Sequence, residues 1–227
     1  MIKKAKAWIV TVVTFVLVIT VILAIVLPIS IINGKAPNGC VSTPHLFDIG
    51  DVITMRKEVM TGKFIVSLEN EILNGSIPIA IMKHRAWTVP FTIDLMDIQE
   101  QGSAQAKGAS YFLGRNVLLQ SCQNDTDIPW LTMGHITQDY SFVLRSYKMI
   151  DGLGHEVAKC RENIDLAANF DVFAVVNGSE TTQVIASIQR QVFSFTDTWK
   201  IVVKSHIPSF DYRQLMFLVS VVSYLKK

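Results

Sequence analysis

The chain has 227 residues, 50% of them hydrophobic and 18% charged, and its formal net charge is +2. Without Lys3, Lys4 and Lys6 it carries 18 basic and 19 acidic residues in scattered positions, which excludes the basic footprint of a nucleic-acid-binding protein and a strong polybasic contact with anionic lipid. This length fits one domain, or two small halves with a common core.

The amino-terminal region is an uncharged apolar run over residues 7–34, directly after the three lysines. As a helix, residues 8–27 would rise about 30 Å, the thickness of the hydrocarbon core of a bilayer. The run is too long for a secretory signal peptide, and no small-x-small cleavage site follows it. We predict an uncleaved transmembrane signal anchor over residues 7–32. The alternative is a core helix, but a helix that is apolar on every face rarely finds enough partners in a soluble core.

Basic residues near the span set the predicted topology. Three lysines precede it and only Lys35 follows within a dozen residues, so the positive-inside rule leaves residues 1–6 in the cytoplasm. Residues 33–46 then form a juxtamembrane linker, and residues 47–227 form a luminal or extracellular domain of a single-pass type II protein. Three glycosylation sequons agree with this placement, at Asn74, Asn124 and Asn177.

Three cysteines allow one disulfide and leave one free thiol. The sequence leaves all three pairings open. We favour Cys122 with Cys160 because both lie inside the predicted domain, whereas Cys40 lies in the predicted linker.

From Phe47 onward, short alternating segments separated by turn signals predict β-strands. Asn177-Gly178 between two apolar segments is a strong signal for a type I′ hairpin, and residues 151–154 predict another turn. Strands of this length and spacing indicate an antiparallel sandwich or barrel. The predicted strands cover residues 63–68, 77–82, 87–95, 140–147, 155–160, 170–176, 182–189 and 198–203.

The carboxyl-terminal residues 211–225 depart from the β pattern. Ser209 or Asp211 can cap a helix, and the residues after the cap are apolar around the whole circumference. As a helix, residues 215–225 would rise only about 16 Å, too little to cross a membrane. We predict a buried central helix, with a buried strand as the alternative because Val219, Val221 and Val222 suit either state.

Three stretches carry a resemblance to a known family: residues 146–158 (SYKMIDGLGHEVA), 184–195 (VIASIQRQVFSF) and 199–203 (WKIVV). In this order they resemble the LURP-one-related proteins, which share a fold with phospholipid scramblases and the tubby carboxyl-terminal domain. The resemblance covers about residues 47–225. It implies a mainly β fold, namely a closed antiparallel β-barrel with a buried carboxyl-terminal helix at residues 211–225. Members of that superfamily generally place the domain in the cytoplasm, so we carry over the fold and no functional residue.

The sequence contains no nucleophile elbow, zinc-protease motif, phosphate-binding loop or Cys-x-x-Cys pair, and we predict no catalytic, cofactor or metal residues. One polar cluster is interpreted as a turn and half-buried strand rather than a metal site: Asp151, His155, Glu156 and Cys160. A second is interpreted as a polar strand exit rather than a calcium site: Asp94, Asp97 and Glu100.

The aromatic residues could line a groove for a lipid or glycan, but large aromatics at alternating strand positions more often fill the core. The residues concerned are Trp87, Phe91, Phe112, Trp130, Phe193, Phe195 and Trp199.

These observations predict a non-enzymatic membrane-tethered barrel that acts as a lipid-handling or interaction module, with the membrane and a lipid or protein as partners. The alternative is a type II secretory-pathway or cell-surface glycoprotein whose β domain binds a protein or carbohydrate. A hydrolase with an unrecognised site is a third hypothesis.

Overall fold

The computed structural model describes residues 14, 39–41, 43–44, 47–70, 75–85, 91–108, 116–123, 130–139, 144–163, 169–191, 196–207 and 210–225. The predicted anchor over residues 7–32, apart from Thr14, and the sequons at Asn74 and Asn124 lie outside the described residues. Within the described part, no helix combines the length and hydropathy needed to cross a membrane.

In the described part of the chain, twelve antiparallel strands form a closed barrel, the architecture that the family resemblance implied. Each strand pairs with its neighbours in the sequence, and β1 closes the barrel against β12. The strands are β1 Val52–Lys57, β2 Phe64–Asn70, β3 Gly75–Arg85, β4 Phe91–Met96, β5 Gly102–Gly108, β6 Asn116–Cys122, β7 Trp130–Asp139, β8 Ser146–Asp151, β9 Glu156–Glu162, β10 Phe170–Val176, β11 Ser179–Gln191 and β12 Thr198–Val203.

Two predicted turns are confirmed. Asn177 and Gly178 both have positive φ angles, of 52° and 74°, as a type I′ hairpin requires, and they join β10 to β11. The turn over residues 151–154 joins β8 to β9. Of the strand predicted over residues 140–147, residues 146–147 belong to β8 and residues 144–145 are not in a strand, whereas residues 140–143 lie outside the described residues.

The barrel is filled by helix α1, Arg213–Leu225, which confirms the predicted buried carboxyl-terminal helix. Apolar side chains on all faces of α1 are at most 1% exposed, and they pack with the inward-facing side chains of the strands. At its amino-terminal end, the Asp211 carboxylate accepts the backbone N–H of Arg213 at 3.0 Å and pairs with its guanidinium. Of the two predicted caps, Asp211 makes this contact; Ser209 lies outside the described residues.

Polar contacts also hold the last turn of α1 to the barrel. The Tyr224 hydroxyl donates to the Gly62 carbonyl at 2.7 Å, and the Ser223 hydroxyl bonds to the Asp197 carboxylate. Lys57 Nζ lies 4.3 Å from the centroid of the Tyr224 ring, where its charge also complements the helix carboxyl terminus. The helix therefore runs from the barrel end near Asp211 to the end near Gly62.

The disulfide joins Cys40 to Cys122, which corrects the predicted Cys122–Cys160 pair. Cys122 is the last residue of β6, and Cys40 reaches it because Cys40, Val41 and Thr43 lie along the start of β5. Cys160 points into the barrel as a free thiol with no exposure. Burial, followed by the nearby carboxylates of Asp171 and Glu162, raises the pKa of this thiol well above its ordinary value.

Candidate functional site

One end of the barrel, which we call the entry rim, gathers the features most suited to binding. The entry rim consists of the starts of the odd-numbered strands and the ends of the even-numbered strands, with the turns 48–51, 97–101, 152–155 and 177–178 and the segment 204–207. The chain enters β1 at this rim, and the Cys40–Cys122 disulfide fastens the preceding segment to it. The other end is the opposite rim.

A cavity of about 320 Å³ opens on the entry rim. Its lining combines apolar walls, two carboxylates and one imidazole: Pro44, Phe47, Asp48, Asp51, Leu68, Ile79 and His206. The segments before β1 and after β12 therefore meet at the cavity, together with β2 and β3.

Aromatic packing fixes the inner wall of the cavity. Phe47 packs edge-on against Tyr212 at a centroid distance of 6.3 Å, and Tyr212 packs in the same manner against Phe210 at 5.0 Å. The Tyr212 hydroxyl donates to the Ser205 carbonyl at 2.5 Å, which holds the segment that carries His206. Burial raises the pKa of Tyr212, so this hydroxyl stays a donor at neutral pH.

Backbone hydrogen bonds fix the acidic side of the cavity. The Asp51 carboxylate accepts the N–H of Asp48 at 2.8 Å, and the Asp51 N–H donates to the Asp48 carbonyl at 3.1 Å. Two backbone hydrogen bonds attach this turn to β12. The Gly50 N–H donates to the Val203 carbonyl at 2.9 Å, and the Val203 N–H donates to the Asp51 carbonyl at 3.0 Å. Among the described residues, the Asp48 carboxylate has no hydrogen-bond or ion-pair partner. This carboxylate is therefore available to an external cation.

The cavity is complementary to a small group with an apolar body and a positive end. Phe47, Leu68 and Ile79 can surround methyl or methylene groups, and Asp48 and Asp51 can face an ammonium or guanidinium charge. A cation near two carboxylates in a half-enclosed cavity is less screened than one in bulk solvent.

The three acidic residues that we interpreted as a polar strand exit bind three different partners. Asp94 pairs through two bonds with Arg85, at 2.6 and 2.7 Å. Asp97 accepts two backbone N–H groups of its own turn, and Glu100 pairs with Lys63. Within the described residues, no group of three or more His, Cys, Asp or Glu side chains could hold a metal ion.

The other predicted polar cluster is also divided between turn and strand. The Asp151 carboxylate accepts the backbone N–H groups of Leu153 and His155 at 2.9 and 2.8 Å. Slight burial alone would raise the pKa of Asp151, but these bonds to His155 and Leu153 outweigh it and lower the pKa. Glu156 approaches Lys148, and Cys160 points inward, so the four side chains do not converge.

The aromatic residues do not form a single groove. Trp199 and Phe91 are buried in the barrel core, and Trp130 is half-buried at the start of β7. Trp87, Phe112, Phe193 and Phe195 lie outside the described residues.

Of the predicted sequons, Asn177 lies at the exposed tip of the β10–β11 hairpin on the entry rim. Sequence reasoning missed the entry-rim cavity, because its residues straddle the boundary drawn at Phe47 between linker and domain. A signal was present in residues 48–51, where Asp-Ile-Gly-Asp places a turn with two carboxylates directly before a strand.

The described residues form a closed twelve-stranded antiparallel barrel with a central helix and a cavity at one rim. No protein-family model matches the chain, and no curated protein matches it. The chain is similar to the X-ray structure of a protein from Arabidopsis thaliana, with a TM-score of 0.51 and 11% sequence identity. The match covers 82% of this chain and 99% of that one. At this identity the likeness shows the fold alone.

Proposed function

We propose that the protein is a non-enzymatic, membrane-tethered barrel of the LURP-one, tubby and scramblase type that handles phospholipid at a membrane surface. The observation that carries this proposal is the position of the cavity. A binding site with apolar walls and two carboxylates opens on the same rim to which the chain following the predicted anchor is fastened.

The filled interior favours a ligand that binds at a rim. Among the described residues, buried side chains of α1 and of the strands occupy the centre of the barrel, where barrels that enclose a ligand keep their cavity. The entry-rim cavity offers space for a head group and remains open to solvent on one side.

The charge of the cavity favours a zwitterionic head group. Choline and ethanolamine carry a positive nitrogen next to methyl or methylene groups, which matches the carboxylates of Asp48 and Asp51 and the apolar walls. An anionic head group without an amine would meet two like charges.

Native mass spectrometry of the full chain released from phosphatidylcholine nanodiscs tests the proposal. We expect the wild-type protein to retain phospholipid and the variant Asp48→Asn to retain less. Glu58→Gln is the matched control, because it removes a carboxylate from the opposite rim, where Glu58 bonds only within its own turn. Retention that is zero in the wild type, or equal in the wild type and Asp48→Asn, would contradict the proposed lipid site.

A second candidate function is a luminal or cell-surface glycoprotein that binds a protein or carbohydrate. Two observations favour a luminal or extracellular location. Asn177 is exposed at a hairpin tip, and a disulfide joins Cys40 to Cys122. Endoglycosidase treatment should shift the wild-type band, and the shift should shrink in Asn177→Gln. Digestion of the barrel by protease added to the cytoplasmic side of sealed vesicles would reject this placement.

A further inference from the structure

Exposed aliphatic side chains lie at strand ends and turns all around the entry rim. The described residues include eight large hydrophobic side chains that are exposed, and six of them lie on this rim, distributed over its strand ends and turns. These six are Ile49, Ile77, Ile98, Leu131, Leu153 and Val176. The remaining two, Val59 and Met60, occupy one turn of the opposite rim.

Aspartate side chains order three of the turns that present these aliphatic groups. Asp51 accepts a backbone N–H in the turn that contains Ile49. Asp97 and Asp151 each accept two backbone N–H groups, in the turns that contain Ile98 and Leu153. Leu153 is nevertheless 82% exposed and Ile49 66% exposed. These turns therefore hold apolar side chains in water at fixed positions on the rim.

The length of chain before Cys40 places this rim near the predicted membrane. Only the seven residues 33–39 separate the predicted end of the anchor from Cys40, and seven extended residues span at most about 25 Å. The disulfide to Cys122 holds this point to the end of β6 on the entry rim. The opposite rim is farther away by about the 20 Å length of α1, which runs between the two ends.

We propose that the entry rim docks on the bilayer in which the chain is anchored, with its aliphatic ring inserted into the interfacial region. This inference rests on the membrane anchor of the proposed function. Six aliphatic groups at the ends of separate turns and strands form a ring that can enter the boundary between head groups and acyl chains, about 5–10 Å deep. The described residues of the rim include the aspartates of its turns and no basic cluster, so docking does not require anionic lipid and changes little with salt.

Depth-dependent fluorescence quenching tests this docking. The full chain is reconstituted in phosphatidylcholine vesicles after an environment-sensitive fluorophore is attached at Leu153→Cys. The matched control carries the same fluorophore at Met60→Cys on the opposite rim, where Met60 is 98% exposed. Ile98→Cys provides a second entry-rim position should the first variant fail to fold. The unsubstituted chain is the labelling blank, because Cys160 is fully buried and the other two cysteines are paired.

We expect fluorescence at Leu153→Cys and Ile98→Cys to fall when the lipid carries a doxyl quencher high on the acyl chain, and fluorescence at Met60→Cys to stay unchanged. Replacing part of the phosphatidylcholine with phosphatidylserine should leave this difference intact. Equal quenching at both rims, or none at either, overturns the proposal. Shielding of Leu153→Cys from aqueous iodide without doxyl quenching assigns the rim to a protein partner or a second copy instead.

A separate measurement distinguishes failure of docking from failure of the anchor. Alkaline carbonate washing leaves an anchored chain in the membrane whether or not its rim touches lipid. Release by carbonate therefore rejects the proposed anchor and the docking that rests on it. Retention without doxyl quenching rejects the docking alone.

Discussion

Replacing Phe217 by alanine tests whether α1 is the core of the barrel. The Phe217 side chain is fully buried within the barrel. Truncating a buried phenylalanine to alanine removes apolar contacts and leaves a cavity, which costs about 3–5 kcal/mol. Because domains of this kind are stabilised by about 5–15 kcal/mol in total, this loss is large enough to measure easily.

The assay is pulse proteolysis of the full chain in nanodiscs across a urea series, which reports the free energy of unfolding of the barrel. Val59→Ala is the matched control, since Val59 is 81% exposed and its truncation should change stability by less than about 0.5 kcal/mol. A loss below about 1 kcal/mol for Phe217→Ala would refute the reasoning. Such a small loss is expected if α1 lies in the bilayer, because truncating Phe217 would then leave no cavity in the barrel core.

Three other perturbations have defined outcomes. The disulfide closes a loop across a sequence separation of 82, so replacing Cys40 and Cys122 by serine should lower the free energy of unfolding by up to about 4.5 kcal/mol in the same assay. An unchanged free energy of unfolding would mean that the disulfide does not form. Partial burial raises the pKa of Asp197, but the Ser223 hydroxyl and Arg190 lower it below its ordinary value overall. The ionised Asp197 carboxylate therefore stabilises the fold above its unfolded pKa of about 4, and this stabilisation is lost as the pH falls through the lower folded pKa. Asp197→Asn should accordingly flatten the acid limb of a stability–pH profile. An unchanged acid limb would reject this role. A Cβ at Gly108 would lie 1.8 Å from Phe91 Cε1, so Gly108→Ala should destabilise the barrel by about 1–3 kcal/mol. Adding Phe91→Leu should restore part of this loss. Equal stability of Gly108→Ala and the wild type would contradict the clash.

Local patterns predicted the strands that carry strong β-formers. Residues 170–176 and 198–203 were predicted with the bounds that β10 and β12 have, because β-branched and aromatic residues alternate there between turn signals. The turn at Asn177-Gly178 was predictable because its chemistry is local, and both residues adopt the positive φ angles that the turn type requires.

Strands defined by their neighbours were missed. β5 has the sequence GSAQAKG, whose alanines and glycines have weak strand propensity. Its alanines are fully buried in the barrel core, and Gly108 accommodates the Phe91 ring of β4. β7 contains Gly134 at a φ of 146° beside a register shift, which interrupts the alternation that a sequence reading depends on.

The candidate site was less predictable than the fold because its residues come from four separated segments. Asp48 and His206 meet only after β12 closes the barrel against β1. The disulfide was mispredicted for a related reason. Side chains alternate between the two faces of a strand, and this alternation points Cys160 of β9 into the core, away from Cys122. The domain also continues back to Cys40, which the predicted linker boundary excluded.

The position of α1 after the last strand has a consequence for folding during synthesis. The twelve strands leave the ribosome before the helix around which they close, and the closing pair β1–β12 joins segments about 150 residues apart. Until residues 213–225 arrive, a partly assembled sheet has exposed apolar side chains and unpaired edges, both of which favour aggregation. A chaperone that shields nascent β-structure should therefore act on this chain up to the moment of its release.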